Sequence, residues 1–309
     1  MNSSADSAVA ELRIVCGPTA AGKSAVAMAL AECHALTIVS ADSRQLYRGF
    51  DIGTAKPSAA DRARVPHRGL DVADPTERWS AAHWSADAAR WIAECGAERA
   101  LVVGGTGFYL RALVAPLFDA PALDAAARTA LEPQLAALSL DALRRWCAAL
   151  DPARAHLGRT QLLRAIEVAL LTGERLSDLQ RRHARAPRFR ARWLVVDPGP
   201  ALAAHVERRL DAMLAAGWPD EVRRIAGHVP ADAVAWNACG YTAVRDWVQG
   251  RRDAADARNA ILVETRQYAK RQRTWFRHQL DAERVTRIDP GAPGALARAE
   301  AWWNAGDDA

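Results

Sequence analysis

Lysine is nearly missing from this chain: of 41 basic residues only Lys23, Lys56 and Lys270 are lysines, leaving 38 arginines. Where the cations cluster therefore says more than how many there are, since a solvated face is the usual meaning of surface charge. Cysteine is also sparse. Cys16, Cys33, Cys95, Cys147 and Cys239 are scattered, odd in number and without a CxxC pair, which excludes a disulfide framework and a zinc knuckle and predicts reduced, mostly buried thiols. No uninterrupted apolar run is long enough to span a bilayer, and the first eleven residues lack a basic region or an apolar core, so no membrane partner and no signal peptide are expected. A cytoplasmic protein is the expectation. No internal repeat stands out, and there is no low-complexity tract beyond alanine enrichment. What the chain does have is 309 residues of which 50% are hydrophobic, enough to bury a full core in one large domain or two smaller ones. Its formal charge of +5 is a moderate basic excess compatible with a nucleic-acid partner.

The most informative stretch is Gly17-Pro18-Thr19-Ala20-Ala21-Gly22-Lys23-Ser24, between the apolar run ending at Cys16 and a helix-like segment ending near Cys33. Strand, loop and helix in that order fit GxxxxGK[ST], in which glycines let successive N–H groups turn inward on an anion. The loop opens onto a helix N-terminus, whose unpaired N–H groups and dipole favour phosphate oxygens. Lys23 is placed to reach the terminal phosphate, and Ser24 to ligate Mg²⁺ on the same phosphates.

Thr37 to Asp42 is a β-branched run ending in an acid, so Asp42 is expected at a strand end. A strand, helix, strand crossover of this length makes the two strands parallel and brings Asp42 to the sheet edge that carries the phosphate loop. Ala100 to Val103 is a further short strand, and Thr106 follows it on the same rim. The segments 51–57 and 66–68 read as loops above that rim. From about Pro116 to Arg190 the Ala/Leu/Arg spacing is helical, with Pro121, Pro133 and Pro152 as breaks, and the sheet resumes at Trp193 to Asp197. Beyond Pro200 the chain reads as helical in character, over Ala201 to Gly217, Asp220 to Gly227 and Asp253 to about Asp281, with a loop through Asn237 to Tyr241. The fold class is therefore α/β, a P-loop parallel sheet flanked by helices, with a helical insertion domain and a helical C-terminal region. The core is expected at 10–117 and 190–309 and the insertion at 118–189. In the segment from Asp253 to about Asp281, Arg266, Lys270, Arg273 and Arg277 are spaced four, three and four and share one helical face. Such a stripe either grips a phosphate backbone or is the solvated side of an amphipathic helix.

The motifs GPTAAGKS at 17–24, SADSRQLYRGFDIGTAKP at 40–57, PHRGLD at 66–71, VGGTGFY at 103–109, AGWPDEV at 216–222 and TRQYAKRQRTWFR at 265–277 occur together and in this order. In this combination the chain resembles the tRNA dimethylallyltransferases, or tRNA isopentenyltransferases of the MiaA type. The resemblance implies transfer of a dimethylallyl group from dimethylallyl diphosphate to N6 of the adenosine 3′ to the anticodon, in tRNAs reading codons that begin with U. It also implies Mg²⁺ and release of diphosphate; a monomer is the expectation for the chain. It implies that the loop residues Gly17 to Ser24 hold the donor's diphosphate, with Arg223 as a second cation. Asp42 is the implied base for the N6 proton, with Thr106 holding Asp42 or the nucleophile and Lys23 stabilising the departing charge. Contacts to the anticodon stem-loop are implied at Asp42, Ser43, Arg44 and Gln45, at Thr106 and Arg128, at Gln161, Leu162, Leu163, Arg164 and Ala165, and at Arg266, Lys270 and Arg273. The family commonly reads GYRQ where this chain has Gly240-Tyr241-Thr242-Ala243, and often has an arginine near Gln161, so fewer charges meet RNA there. Two other enzyme readings stay open: an adenylate isopentenyltransferase acting on free AMP, ADP or ATP, and a P-loop kinase with Asp197 as its second acid. An RNA-binding module without catalysis is a third.

Overall fold

β1 (Ala10–Cys16) has Leu12, Ile14, Val15 and Cys16 wholly buried, because a parallel strand inside a sheet is covered on both faces. The coordinates are a computed structural model that describes residues 9–115, 123–183 and 187–305. After β1 the chain runs through α1 (Lys23–His34), β2 (Thr37–Ser40), α2 (Ala59–Arg64), β3 (His67–Arg68), α3 (Ala81–Cys95), β4 (Ala100–Gly104) and α4 (Gly107–Val114). Four helices follow: α5 (Ala125–Ala136), α6 (Leu140–Leu150), α7 (Arg159–Thr172) and α8 (Leu176–Arg182). The sheet returns with β5 (Phe189–Val196), followed by α9 (Leu202–Ala215), α10 (Trp218–Ala226), α11 (Tyr241–Val248), α12 (Ala254–His278), β6 (Val285–Ile288) and α13 (Ala295–Asn304).

Contacts divide the chain into one unit of Met1–Val114 with Arg188–Ala309 and a second of Ala115–Pro187. The insertion boundary expected at 117 and 118 lies outside the described residues, as does Pro121. In the first unit all six strands are parallel, in the order β3-β2-β4-β1-β5-β6. The β1 to β2 crossover passes to one side and leaves a gap that β4 fills, while β5 joins on the other side. The end of β1 is thus a topological switch point, where ligands of open parallel sheets bind.

The second unit packs α5 to α8 around Leu143, Cys147, Leu162, Ala165 and Ile166, none of which has exposed surface. Asp151, also fully buried, accepts bonds from the Ser177 N–H (2.9 Å) and hydroxyl (2.6 Å) and ties the end of α6 to the start of α8.

Several expectations need correction. β6 lies past Asp281, in a C-terminal region where no strand was expected. With four residues it carries little periodicity, and its pairing of Trp193 to Val196 with Val285 to Ile288 makes it a strand. β3 is a two-residue strand where a loop was expected, and β5 starts at Phe189 because arginines alternate with its inward residues. One of these, Arg192, pairs with Glu11 at 3.0 Å across to β1. Pro133 does not break the chain but sits in the last turn of α5. Of the five unbridged thiols only Cys16 and Cys147 are buried, and Cys33 is exposed. Among the described residues no helix is long and apolar enough to cross a membrane.

Candidate active site

The loop after β1 is shaped by close approach to the sheet. A Cβ on Gly17 would lie 2.1 Å from the Val196 carbonyl oxygen, and its φ of +147° is one that side chains resist, so only glycine fits. Ala20 is held at φ 61°, a left-handed conformation unusual for alanine, where the loop turns back toward the helix. Gly22, also left-handed, caps α1. Lys23 opens that helix and folds its ammonium back to donate to the Pro18 carbonyl at 2.7 Å. Burial and the nearby Arg209 charge push the Lys23 pKa down to about 8, against the opposing pull of Asp42. Ser24 is exposed beside it.

Two side chains from distant helices complete this cradle. Arg209 of α9 donates from Nη1 to Thr19 Oγ1 at 3.1 Å, and burial lowers its pKa while the Asp42 charge holds it up. Gln272 of α12, 7% exposed, accepts from the Thr19 N–H at 2.8 Å and donates to the Gly105 carbonyl at 2.8 Å. It links the phosphate loop to the turn after β4. Neither was singled out from the sequence. The signal available for Arg209 was a paired arginine on an amphipathic helix, one of many in this chain. Arg223, chosen instead, is exposed on α10, pairs with Asp220 one turn back, and lines neither cavity of the site. The short range of that pair keeps its guanidinium on the helix surface.

Asp42 follows β2, its carboxylate accepting from the Arg44 N–H at 2.9 Å in a local turn. It lines a small cavity of about 70 Å³ together with Thr19, Arg209 and Tyr268. The remaining wall is largely apolar, from Val206, Leu210, Trp218 and Ile261. A larger cavity of about 1340 Å³ is lined by Gly22, Lys23, Ser24, Arg208 and Arg209. Ala20, Arg209 and Met213 border both, so the small, largely apolar inner cavity adjoins a larger one of mixed charge.

Thr106 does not hold the Asp42 carboxylate. Among the described residues its hydroxyl accepts from the Ser43 N–H at 3.0 Å, donates to the Ser43 hydroxyl at 3.3 Å and meets the Tyr268 hydroxyl. It therefore fixes the residue after Asp42 rather than Asp42 itself. Burial and the Asp42 charge push the Tyr268 hydroxyl up to about 12, so it remains a donor at neutral pH. Gln45 is a strut, with its Nε2 donating to the Thr54 and Ala55 carbonyls and its Oε1 accepting from Ser40.

Comparison with known proteins decides what this arrangement belongs to. Residues 45–279 match the family model described as IPP transferase, and residues 10–66 match a second described as isopentenyl transferase. The chain belongs to the IPP transferase family. A relative from Stenotrophomonas maltophilia named tRNA dimethylallyltransferase is 43% identical over 284 residues, 87% of this chain and 90% of its own length. The solved tRNA isopentenylpyrophosphate transferase of Bacillus halodurans is 31% identical with a TM-score of 0.63, over 90% of this chain and 89% of that one. A eukaryotic dimethylallyltransferase solved acting on tRNA shares the fold at a TM-score of 0.76 and 21% identity, over 91% of this chain and 74% of its own.

In this IPP transferase, no cluster of three His, Cys, Asp or Glu residues is arranged to hold a metal among the described residues. Mg²⁺ usually keeps several waters and binds through substrate phosphates plus one or two protein oxygens, and the exposed Ser24 hydroxyl at the start of α1 suits that arrangement. The basic stripe of α12 is divided. Arg266 pairs with Glu207 of α9, and Arg273 clamps Asp197 at the end of β5 (Nε to Oδ2 2.9 Å) and donates to the Gly199 carbonyl, while Lys270 is exposed. Asp197, the acid a kinase reading required, is thus occupied by a structural ion pair.

Within the helical unit, Arg128 and Arg164 both pair with Glu167, at 2.5 and 2.6 Å. Leu162 and Ala165 are core residues with no surface to offer a ligand, because α7 turns that face inward. Leu163 is half-buried. Gln161 is exposed, its Oε1 accepting from the Gly158 N–H at the helix start.

Proposed function

We propose that this protein is a tRNA dimethylallyltransferase, moving a five-carbon allylic group from dimethylallyl diphosphate to N6 of the adenosine 3′ to the anticodon. The observation that carries the reading is the pair of adjoining cavities, one with Lys23, Arg208 and Arg209 beside the phosphate loop, the other largely apolar and holding one carboxylate. The names borne by its relatives agree with this assignment.

An adenine amino nitrogen is a weak nucleophile because its lone pair is delocalised, so the reaction needs assistance at both ends. The allylic C1–O bond breaks, and its electron pair leaves with the diphosphate. The N6 lone pair forms the new C1–N6 bond, and the N6 proton passes to the Asp42 carboxylate. Lys23, Arg209 and the loop N–H groups meet the charge developing on the leaving group, an effect worth several kcal/mol when such donors are already in place. Mg²⁺ bound at Ser24 would supply further neutralisation of that charge. Thr106 and Tyr268 position the Asp42 turn through Ser43. The second cation in this reading is Arg209 rather than Arg223.

For the RNA partner, Arg44 at the cavity rim and the exposed Lys270 and Arg271 supply positive charge near the aromatic Tyr268, over whose ring the Arg271 guanidinium lies at 5.8 Å. Gln161, Arg128 and Arg164 of the helical unit are the remaining candidates for stem-loop contacts. An adenylate isopentenyltransferase would use the same donor site, so the substrate decides between them. The test is incubation of labelled dimethylallyl diphosphate with unmodified tRNA and, separately, with AMP. Label is expected on an anticodon-loop adenosine of tRNA, with turnover lowered at least ~10²-fold in Asp42→Ala, the usual scale for a lost general base. Transfer to AMP alone would sink the tRNA reading.

A further inference from the structure

The inner cavity ends on one side chain that nothing so far has used. Trp218, the first residue of α10, is 1% exposed and lines the cavity together with the phosphate loop residues Thr19 and Ala20. Two glycines fix the plane of its indole. A Cβ on Gly53 would lie 2.2 Å from Trp218 Cε2, and one on Gly240 would lie 2.5 Å from Trp218 Cη2. Tyr241 meets the indole edge-on, with ring centroids 5.2 Å apart at 71°. The Tyr241 hydroxyl donates to Glu221 at 2.7 Å, and the same carboxylate accepts from the N–H groups of Asp51 (3.1 Å) and Ile52 (2.7 Å). Backbone on one side, ring on another and a buried acid behind them leave the indole no room to swing aside. Its own N–H has no hydrogen-bond partner among the described residues.

We propose that Trp218, clamped between Gly53 and Gly240, is the floor that sets the length of the allylic donor, admitting a five-carbon chain and excluding one longer by an isoprene unit. This rests on the reading that the donor's tail enters the inner cavity. At about 70 Å³ that cavity is far below the roughly 300–1,000 Å³ of pockets that enclose drug-sized ligands, and it suits a group of a few carbon atoms. A ten-carbon tail entering from the phosphate loop meets the indole. The chemistry at C1 is unchanged by tail length: the C1–O bond breaks with its electrons going to diphosphate, and C1–N6 forms as the proton passes to Asp42. A shortened residue 218 therefore changes which donor is used without changing the reaction. Close-packed walls make such gates effective, because the surroundings relax only in part around a clash.

The experiment compares kcat/KM for dimethylallyl and geranyl diphosphate with unmodified tRNA in wild type, Trp218→Phe, Trp218→Leu and Trp218→Ala. The geranyl to dimethylallyl ratio is expected to rise at least about tenfold in the Leu and Ala variants, the scale on which apolar pockets discriminate, and to stay near wild type in Phe. Gly53→Ala supplies the opposite perturbation: its methyl drives the indole into the cavity and lowers dimethylallyl transfer, and the double variant with Trp218→Ala restores it. A purely structural role would lower both donors together and give no rescue. An unchanged ratio in Trp218→Leu, or a silent Gly53→Ala, overturns the gate while leaving the prenyl-transfer reading intact. Failure of wild type to use dimethylallyl diphosphate removes that reading, and the gate with it.

Discussion

Replacing Arg209 tests most directly how the leaving group is stabilised. Its guanidinium borders both cavities and donates to Thr19 at 3.1 Å, inside the loop that would hold the diphosphate. A unit charge about 4 Å from a departing oxygen is worth roughly 4 kcal/mol at the effective dielectric of a partly screened site. Loss of one preorganised donor to an oxyanion lowers turnover about 10²–10³-fold, which is the same range. Part of the loss is offset. Arg209 is one reason the Lys23 pKa is down at about 8, so removing it lets the Lys23 ammonium hold its proton more firmly. Arg209→Met is therefore expected at the lower end, a fall of about 10²-fold in kcat/KM for the donor. Arg209→Lys keeps the charge but loses the planar fork, and a fall of about tenfold is expected. Arg223→Met, which breaks an exposed pair with Asp220, should stay within about twofold of wild type. The assay is transfer of labelled dimethylallyl from diphosphate to an anticodon stem-loop at saturating RNA, with melting temperatures showing that each variant is folded. Arg209→Met within about threefold of wild type, or Arg223→Met as impaired as Arg209→Met, would refute the assignment of the second cation.

Two further outcomes follow from buried groups at the same site. Glu221→Ala leaves the Asp51 and Ile52 N–H groups and the Tyr241 hydroxyl without their acceptor, and should cost on the order of 3 kcal/mol, read as a lowered urea midpoint with unchanged slope. A shift below about 0.5 kcal/mol would show that the loop at 51–54 is held by other contacts. Burial pushes the Cys239 thiol up to about 11, and the thiolate is the form that reacts with iodoacetamide. Its labelling should accordingly be slow at pH 8 and climb about tenfold per pH unit toward 11, so a plateau near pH 9, followed by mass spectrometry, would contradict the burial argument.

The strand, loop and helix at 10–34 were legible in the sequence because a glycine-bearing turn onto a helix start is a local property, carried by eight adjacent residues. Asp42 was legible for a related reason: a short crossover leaves two strands no choice but to run parallel, so the end of the second shares the rim of the first. The α12 helix and its basic face were also present in the spacing. Its division was not, since the acids that engage Arg266 and Arg273 come from α9 and from the end of β5, 59 and 76 residues away. The same limit applies to Leu162 and Ala165, whose place on the inward face of α7 depends on what α5, α6 and α8 pack against it. β6 escaped because four residues carry too little periodicity, and β5 alone makes them a strand. By itself, then, the order of residues determined the loop between β1 and α1, the carboxylate at the neighbouring strand end and the α/β class, all properties of short contiguous segments. Which of many arginines turns inward beside the loop, and which indole closes the inner cavity, was decided only by the tertiary structure, because side chains on separate helices meet there through packing that no local pattern encodes.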